Sequence, residues 1–287
     1  MMVKQLIRLQ PKMVRRGPLA LVNREHPLRQ PIHSGYLEPV QDIPLASTEE
    51  KQMRLERTCL RQLDALLAAC GGKERIGIVS GYRTRMEQQR IYDRSYVENG
   101  PIFTASYVAR PGESEHQTGL AVDVGELNAG VDYICPSFPD HGVYKEFRRR
   151  AAEHGFIQRY QEGKEHLTHI ACEPWHFRYV GVPHAVIMEQ YGMCLEEYTE
   201  YMRQFTPEGP HLFKKYKNHL IEMYVVEIGE EEKEIAIRTE PGVRVEISGN
   251  NVNGCVVTIY HGCQGSSGAS EAGHETSLVS GMEQAIR

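Results

Sequence analysis

The sequence predicts an α+β chain, a small antiparallel sheet flanked by helices, followed by a small all-β module. Three observations predict it. Apolar residues at helical spacing alternate with short apolar runs as far as about residue 205. The pattern then changes to residue-by-residue alternation with turn signals over 211–261. Between the two, Thr206-Pro207-Glu208-Gly209-Pro210 interrupts the chain as an inter-domain linker does. The expected division is an N-terminal arm (1–20), a main domain (21–205), a β module of unassigned role (206–261) and a Gly- and Ser-rich tail (262–287) expected to be disordered.

Taken in order, Ser47 or Thr48 with Glu49 and Glu50 starts a helix that runs to about Cys70 and stops at Gly71-Gly72. Met53, Cys59, Leu60, Leu63, Leu66 and Leu67 form its apolar face. "RIGIVSGYRT" reads as a short buried strand ending at Gly81, and Thr84 opens a second helix, "RMEQQRIYDRSYVEN". The connection over 100–114, "GPIFTASYVARPGES", is long enough to suggest a functional loop. "GLAVDVG" is strand-like, with Leu120, Val122 and Val124 on one face and Asp123 on the other. "VYKEFRRRAAEHG" is a helix closed by Gly155. "EHLTHIACEPWHFRYVG" reads as two strands joined or bent at Pro174, and "PHAVIMEQYG" and "LEEYTEYMRQF" supply two closing helices. In the module, Asn250-Asn251 and Asn253-Gly254 mark tight turns.

Composition narrows the function classes. With 40% hydrophobic and 25% charged residues in 287, the chain has the profile of a soluble globular protein large enough for two domains. A net charge of −5 and a pI near 6.2 argue against a nucleic-acid binder, which needs a basic surface. The basic stretch Lys12–Arg16 is short and reads as a solvated arm. No segment approaches the ~20 apolar residues of a membrane span. The N-terminus lacks the apolar core of ~7–15 residues that a secretory signal needs. Seven cysteines (59, 70, 135, 172, 194, 255, 263), odd in number and without a C-x-x-C pair, suit reduced thiols in a cytoplasmic protein.

Two stretches carry the chemistry. "SEHQTGLAVDVG" (114–125) sets His116 and Asp123 at the ends of an apolar run, two candidate metal ligands. A catalytic zinc takes three protein ligands, keeps a position for water and needs a nearby carboxylate to accept that water's proton. "EPWHFRYVG" offers Glu173 and His176. Residues three apart in a regular strand face opposite ways, but Pro174 lacks an N–H and favours a bulge, which can turn both groups into one cavity. His166 and His169 have no such device and are poor co-ligands. His141 and His154 fall in a loop and at a helix end, where a solvated role suffices.

Together these motifs resemble the zinc D,D-peptidases that include VanX, VanY and the bifunctional VanXY enzymes. "SEHQTGLAVDV" is similar to their S-x-H-x-x-G-x-A-x-D motif, "EPWHFRYVG" to E-x-W-H, "SGYRT" (80–84) to a third element and "LVNREHPL" (21–28) to the N-terminal entry of the carboxypeptidase branch. The resemblance covers about 20–205 and is nearest to the VanXY branch.

It implies that His116, Asp123 and His176 hold Zn2+, leaving the centre at net +1, which acidifies bound water and polarises a carbonyl. Glu173 would be the general base, and Arg83 would stabilise the oxyanion with its fixed charge and rigid fork of donors. Ser114 either donates to the substrate's terminal carboxylate or serves as a turn or cap residue. Ser80, Tyr82 and Gln88 resemble residues shaping the substrate end, and Trp175 reads as packing beside the metal. The implied substrates are small peptides, D-Ala-D-Ala and the pentapeptide precursor of peptidoglycan, with a link to glycopeptide resistance. An L,D-endopeptidase and a non-catalytic zinc-containing binding module are the alternatives. Glu173 speaks against the second, because a structural site needs no base.

Overall fold

The computed structural model describes residues 4–45, 53–127, 132–229 and 231–262; the tail expected to be disordered falls, from residue 263 on, outside them. The N-terminal strand β1 (Gln5–Leu9) is followed by a short strand pair, β2 (Leu37–Pro39) and β3 (Arg54–Glu56), that leads into α1 (Arg57–Cys70). The helix expected from Ser47 or Thr48 therefore begins only at Arg57, and residues 46–52 lie outside the described residues. The cause is tertiary. The backbone of 54–56 pairs with β2, the Glu56 N–H donates to Gly119 O, and the Glu56 carboxylate accepts from the N–H groups of Thr58 and Cys59 as the helix cap. Gly71, at φ 70, ends the helix in the left-handed region.

Strand β4 (Ile76–Ser80) is buried throughout and leads to α2 (Arg85–Tyr107), capped by Thr84 and Glu87 reaching reciprocally to each other's backbone. The expected loop over 100–114 is helical as far as Tyr107. Gly100, at φ 82, kinks the helix, and Pro101 restarts it, since proline suits a first helical turn. Only 108–114 is loop. Then come β5 (Ala121–Glu126), α3 (Gly142–Ala151), β6 (Phe156–Tyr160), α4 (Glu165–Thr168) and β7 (Glu173–Tyr179). The two strands expected across Pro174 are thus one. Residues 165–168 coil into a single turn of helix ended by His169 at φ 60, and only the stretch from Glu173 is extended. Helices α5 (Val182–Tyr191) and α6 (Leu195–Met202) follow as expected.

These strands form one antiparallel sheet in the order β4-β5-β7-β6. Its alternation sorts the side chains. Val122, Val124, Phe156 and Phe177 enter a core with Leu63, Leu66 and Leu67 of α1 and Phe147 of α3, while Asp123, His176 and Arg178 occupy the alternate positions. None of the six cysteines among the described residues is paired.

The C-terminal strands are β8 (Leu212–Tyr216), β9 (His219–Glu227), β10 (Ile235–Thr239), β11 (Arg244–Gly249) and β12 (Gly254–Gly262). Four make an antiparallel sheet, β11-β12-β9-β8, while β10 pairs with β1. Both faces of the four-stranded sheet are covered. Ile221, Met223, Val225 and Val256 pack against Ala185, Met188, Leu195, Tyr198 and Met202 of α5 and α6. Tyr224, Val226 and Val257 pack on the other side against Leu9 and Ile237 of the β1–β10 ribbon. The arm is anchored rather than solvated. Lys12 and Arg16 are exposed, but Val14, Leu19 and Ala20 are buried, and Gly249 and Asn251 donate to the Arg16 and Val14 carbonyls. A Cβ at Gly249 would meet Met13 O and Val14 O at 2.2 Å, so only glycine admits this crossing.

His184 of α5 ties these parts together. Buried, it lies 2.7 Å through Nδ1 from the Tyr198 hydroxyl on α6 and 3.1 Å through Nε2 from Thr258 Oγ1 on β12.

Packing across residue 206 is continuous, so a chain cut after Thr206 would uncover several core side chains, each contributing ~1.5–3 kcal/mol when buried. Since whole domains are stable by only ~5–15 kcal/mol, the truncated chain is expected in the insoluble fraction or with a strongly lowered Tm. A soluble fragment that melts like the full chain would contradict this. A second prediction concerns acid. Burial depresses His184 from its ordinary 6.5 to about 3, so below pH 6.5 the unfolded chain binds a proton that the folded chain refuses. Its contribution is complete above pH 6.5 and falls as pH drops toward 3, by at most ~1.4 kcal/mol per pH unit. His184→Gln, measured by urea unfolding between pH 7 and 4, should lose stability less steeply than the wild type.

Candidate active site

Asp123 and His176 are direct cross-strand partners on β5 and β7, which sets their side chains next to each other on one sheet face. His116 reaches the same point from a 3-10 turn, Glu115–Thr118, that ends at Gly119. Gly119, at φ 69, takes the left-handed conformation, and a Cβ there would meet Leu37 at 2.6 Å. One ligand atom from each of His116, Asp123 and His176 lies within 4.8 Å of the other two, all three buried; this is the group among the described residues able to hold a metal ion. His166 is exposed and His169 faces Glu25 at 3.7 Å; neither joins it.

The centre is asymmetric. Asp123 Oδ2 lies 3.1 Å from His116 Nε2 and accepts from Arg83 Nη2 at 3.0 Å. Asp123 Oδ1 is 3.0 Å from His176 Nδ1, yet it is fully enclosed and makes no hydrogen bond. His116 Nδ1 is held by the Gly81 carbonyl at 2.7 Å, which leaves Nε2 facing the centre. Two imidazole nitrogens converging with a buried, unsatisfied carboxylate oxygen are the donor set of a zinc-type site.

Glu173 joins them through the bulge at Pro174. Gln158 pairs with Phe177 and Tyr160 with Glu173, so two steps along β6 are matched by four along β7. The surplus residues turn Glu173 back to the face of His176, and its Oε2 lies 3.4 Å from His176 Nδ1. Arg83 is fixed on three sides. It donates through Nε to Ser80 Oγ at 2.8 Å, through Nη1 to Gln88 Oε1 at 3.4 Å and through Nη2 to Asp123. Gln88 is anchored in turn to Ala109 O at 2.7 Å. Ser114 is buried on the pocket wall, and its side chain does not cap the turn it precedes. Trp175 packs against the core and also lines the pocket. Two of the expected residues are outside the pocket lining: Ser80 is buried and reaches the site only through Arg83, and Tyr82 stands apart, half-buried, with Glu87 and Arg54 as its charged neighbours.

The electrostatics follow from burial and proximity. Burial pushes the Asp123 carboxyl up, but His116 and His176 more than offset it and hold the group well below its usual range. Burial raises Glu173 to about 8, with His176 pulling down and Asp123 pushing up. His116 is lowered, by burial and then by Arg83. His176 is raised to about 9, because Asp123 outweighs burial.

A layer of buried charge that the motifs did not flag stands behind the centre. Glu115 Oε1 is 2.8 Å from both Arg159 Nε and Arg178 Nη1. Arg159 grips Glu196 of α6 with both terminal nitrogens, and Arg178 Nη2 donates to the Pro18 and Ala20 carbonyls. Burial alone would raise the Glu115 carboxyl, but the two guanidiniums hold it far below its usual value. The available signal was an arginine inside each of two apolar runs, "GFIQRY" and "WHFRYV", since a buried cation demands a buried anion.

A family model described as VanY, D-alanyl-D-alanine carboxypeptidase, matches residues 52–182. Over 190 residues the chain is 40% identical to the bifunctional D-Ala-D-Ala dipeptidase and D-Ala-D-Ala carboxypeptidase VanXYC of Enterococcus gallinarum, covering 65% of this chain and 95% of that protein. This chain belongs to the VanX/VanY-type D,D-peptidase family. The solved vancomycin-resistance D,D-dipeptidase VanXYg, in complex with a D-Ala-D-Ala phosphinate analog, matches with a TM-score of 0.81 at 38% identity, covering 90% of this chain and 100% of that one. That coverage is too large to stop at residue 205, so the D,D-peptidase likeness takes in strands of the C-terminal sheet. The LD-carboxypeptidase LdcB matches less of the chain, with a TM-score of 0.55 at 32% identity over 63% of this chain and 85% of that one. Among the described residues no helix is long and apolar enough to cross a membrane.

Proposed function

We propose that this protein is a zinc-dependent D,D-dipeptidase and D,D-carboxypeptidase that hydrolyses D-Ala-D-Ala and removes the terminal D-Ala of peptidoglycan precursors, in glycopeptide resistance or precursor metabolism. The single observation that carries the reading is the convergence of His116, Asp123 and His176 with an ionisable Glu173 beside them and a fixed guanidinium across the pocket. Agreement in sequence and over most of the fold with D,D-peptidases, rather than with the less extensive L,D match, supports the D,D assignment.

His116 Nε2, an oxygen of Asp123 and His176 Nδ1 would hold the ion, and Zn2+ there supplies a Lewis acid that polarises the scissile carbonyl and acidifies water. The remaining work belongs to side chains. Glu173, buried beside that point, accepts a proton from the attacking water and passes it to the departing amine. Arg83, immobilised by Ser80 and Gln88, presents its charge to the carbonyl oxygen as negative charge develops there. Ser114, which lines the pocket and is uncommitted to the turn, would donate to the substrate's terminal carboxylate. Tyr82 shapes the substrate end only indirectly, from outside the pocket.

The test is release of free D-Ala from the dipeptide and from the pentapeptide precursor, with and without chelator. Activity should vanish with chelator and return with zinc; chelator-resistant release, or cleavage of an L,D bond alone, would sink the reading. Glu173→Gln should retain zinc and lose ~10²–10⁴-fold in kcat. A base acts only when ionised, so wild-type kcat/KM should climb with pH along a limb no higher than about 8, and that limb should vanish in the variant. Arg83→Ala should lower kcat more than it raises KM, because the group acts on the transition state.

A further inference from the structure

The imidazole of His176 turns only one nitrogen to the centre. Nδ1 faces Asp123 and Glu173, at 3.0 and 3.4 Å, whereas Nε2 faces away from them, 3.7 Å from Glu115 Oε2. Both Nε2 and Oε2 are fully enclosed, and neither makes a hydrogen bond. A donor and an acceptor that have both lost water are set facing each other. The family motif S-x-H leaves position 115 unspecified.

We propose that Glu115 is a positioning residue for the metal centre: its Oε2 accepts from the Nε2–H of His176, fixing the tautomer in which Nδ1 offers its lone pair to the cation. The inference rests on the zinc reading above. The rival explanation is that Glu115 merely neutralises two buried guanidiniums. That duty, however, falls on Oε1, which Arg159 and Arg178 both approach at 2.8 Å. With Oε1 accepting from Arg159 Nε and facing Arg178, the second oxygen is left aimed at His176. The two histidines are then held by unlike partners, His116 by the backbone carbonyl of Gly81 and His176 by a carboxylate. A carboxylate partner makes an imidazole the more basic ligand, so His176 becomes the stronger nitrogen donor of the pair.

Glu115→Gln is a sharp probe. Its single carbonyl oxygen is drawn to the two guanidiniums, so the amide NH2 meets His176 Nε2–H, donor against donor. Glu196→Gln is the control, because it disturbs the same network at Arg159 without touching His176. Zinc affinity of the full-length proteins is measured by competition with a chromogenic chelator, alongside Tm. Glu115→Gln should weaken zinc binding by about 10–100-fold, and Glu196→Gln should lower Tm while leaving zinc affinity unchanged. Equal affinity in Glu115→Gln and wild type overturns the proposal, as does an equal loss in both variants. Wild-type protein that binds no zinc overturns the metal reading itself. Should Glu115→Gln not fold, zinc-loaded wild type decides. ¹⁵N-edited NMR should show a slowly exchanging His176 Nε2–H, and coordination through Nε2 or a rapidly exchanging proton would refute the assignment.

Discussion

The carboxylate of Asp123, buried at the pocket wall, is pulled in three directions, toward His116, His176 and Arg83. An isolated buried carboxylate would take up a proton; this one keeps its charge because three potential cations surround it. Much of the fold serves that arrangement. The residue needs a strand whose neighbours on either side, Val122 and Val124, are locked in the core, since a slip of one residue would send the carboxylate into the hydrophobic cluster. It also needs β7 in fixed register so that His176 stands directly across.

Around this pivot lies a second ring of charge, two glutamates and two arginines, each nearly or fully buried. Such networks are costly to assemble and are tolerated when every charge has a partner. Their geometric effect is to join distant parts of the chain. Arg178 binds the carbonyls of the N-terminal segment, Glu196 belongs to α6, and α6 in turn forms one wall of the core beneath the C-terminal sheet. The strands after residue 206 therefore share a packing unit with the helices that brace the active site, and β1 closes the ribbon from the other terminus.

The similarity to both D,D- and L,D-specific enzymes has a simple physical basis. In the proposed reading, ligands, base and guanidinium would act on the scissile amide whatever the stereochemistry beside it, so one centre would serve several peptides. In the pocket walls, Ile91, Tyr107, Ile134 and Ile170 surround the polar groups with apolar surface. Tyr107 stands at the end of the restarted half of α2, so the kink at Gly100 also shapes that wall.

Much of this was legible in the residues themselves. The apolar face of α1, the existence of α3, the strand alternation around Asp123 and the cap at Thr84 follow from spacing and residue type, because local periodicity is encoded within a few positions. The grouping of His116, Asp123, Glu173 and His176 followed instead from two short motifs and their resemblance to a known family. Pro174 even indicated why residues three apart on a strand could share a face. What the sequence could not decide was set by contacts between distant segments. Arg54–Glu56 is extended because β2 and Gly119 claim its backbone, not because of its own propensity. Residues 101–107 stay helical because proline after a kinked glycine can begin a helix as readily as end one. Tyr82 sits inside one motif yet outside the pocket, and Glu115 sits inside another yet behind the ligand triad. Residue type sets the chemistry available at each position. Only the tertiary structure, by choosing which buried charges face one another, decided which of those groups meet.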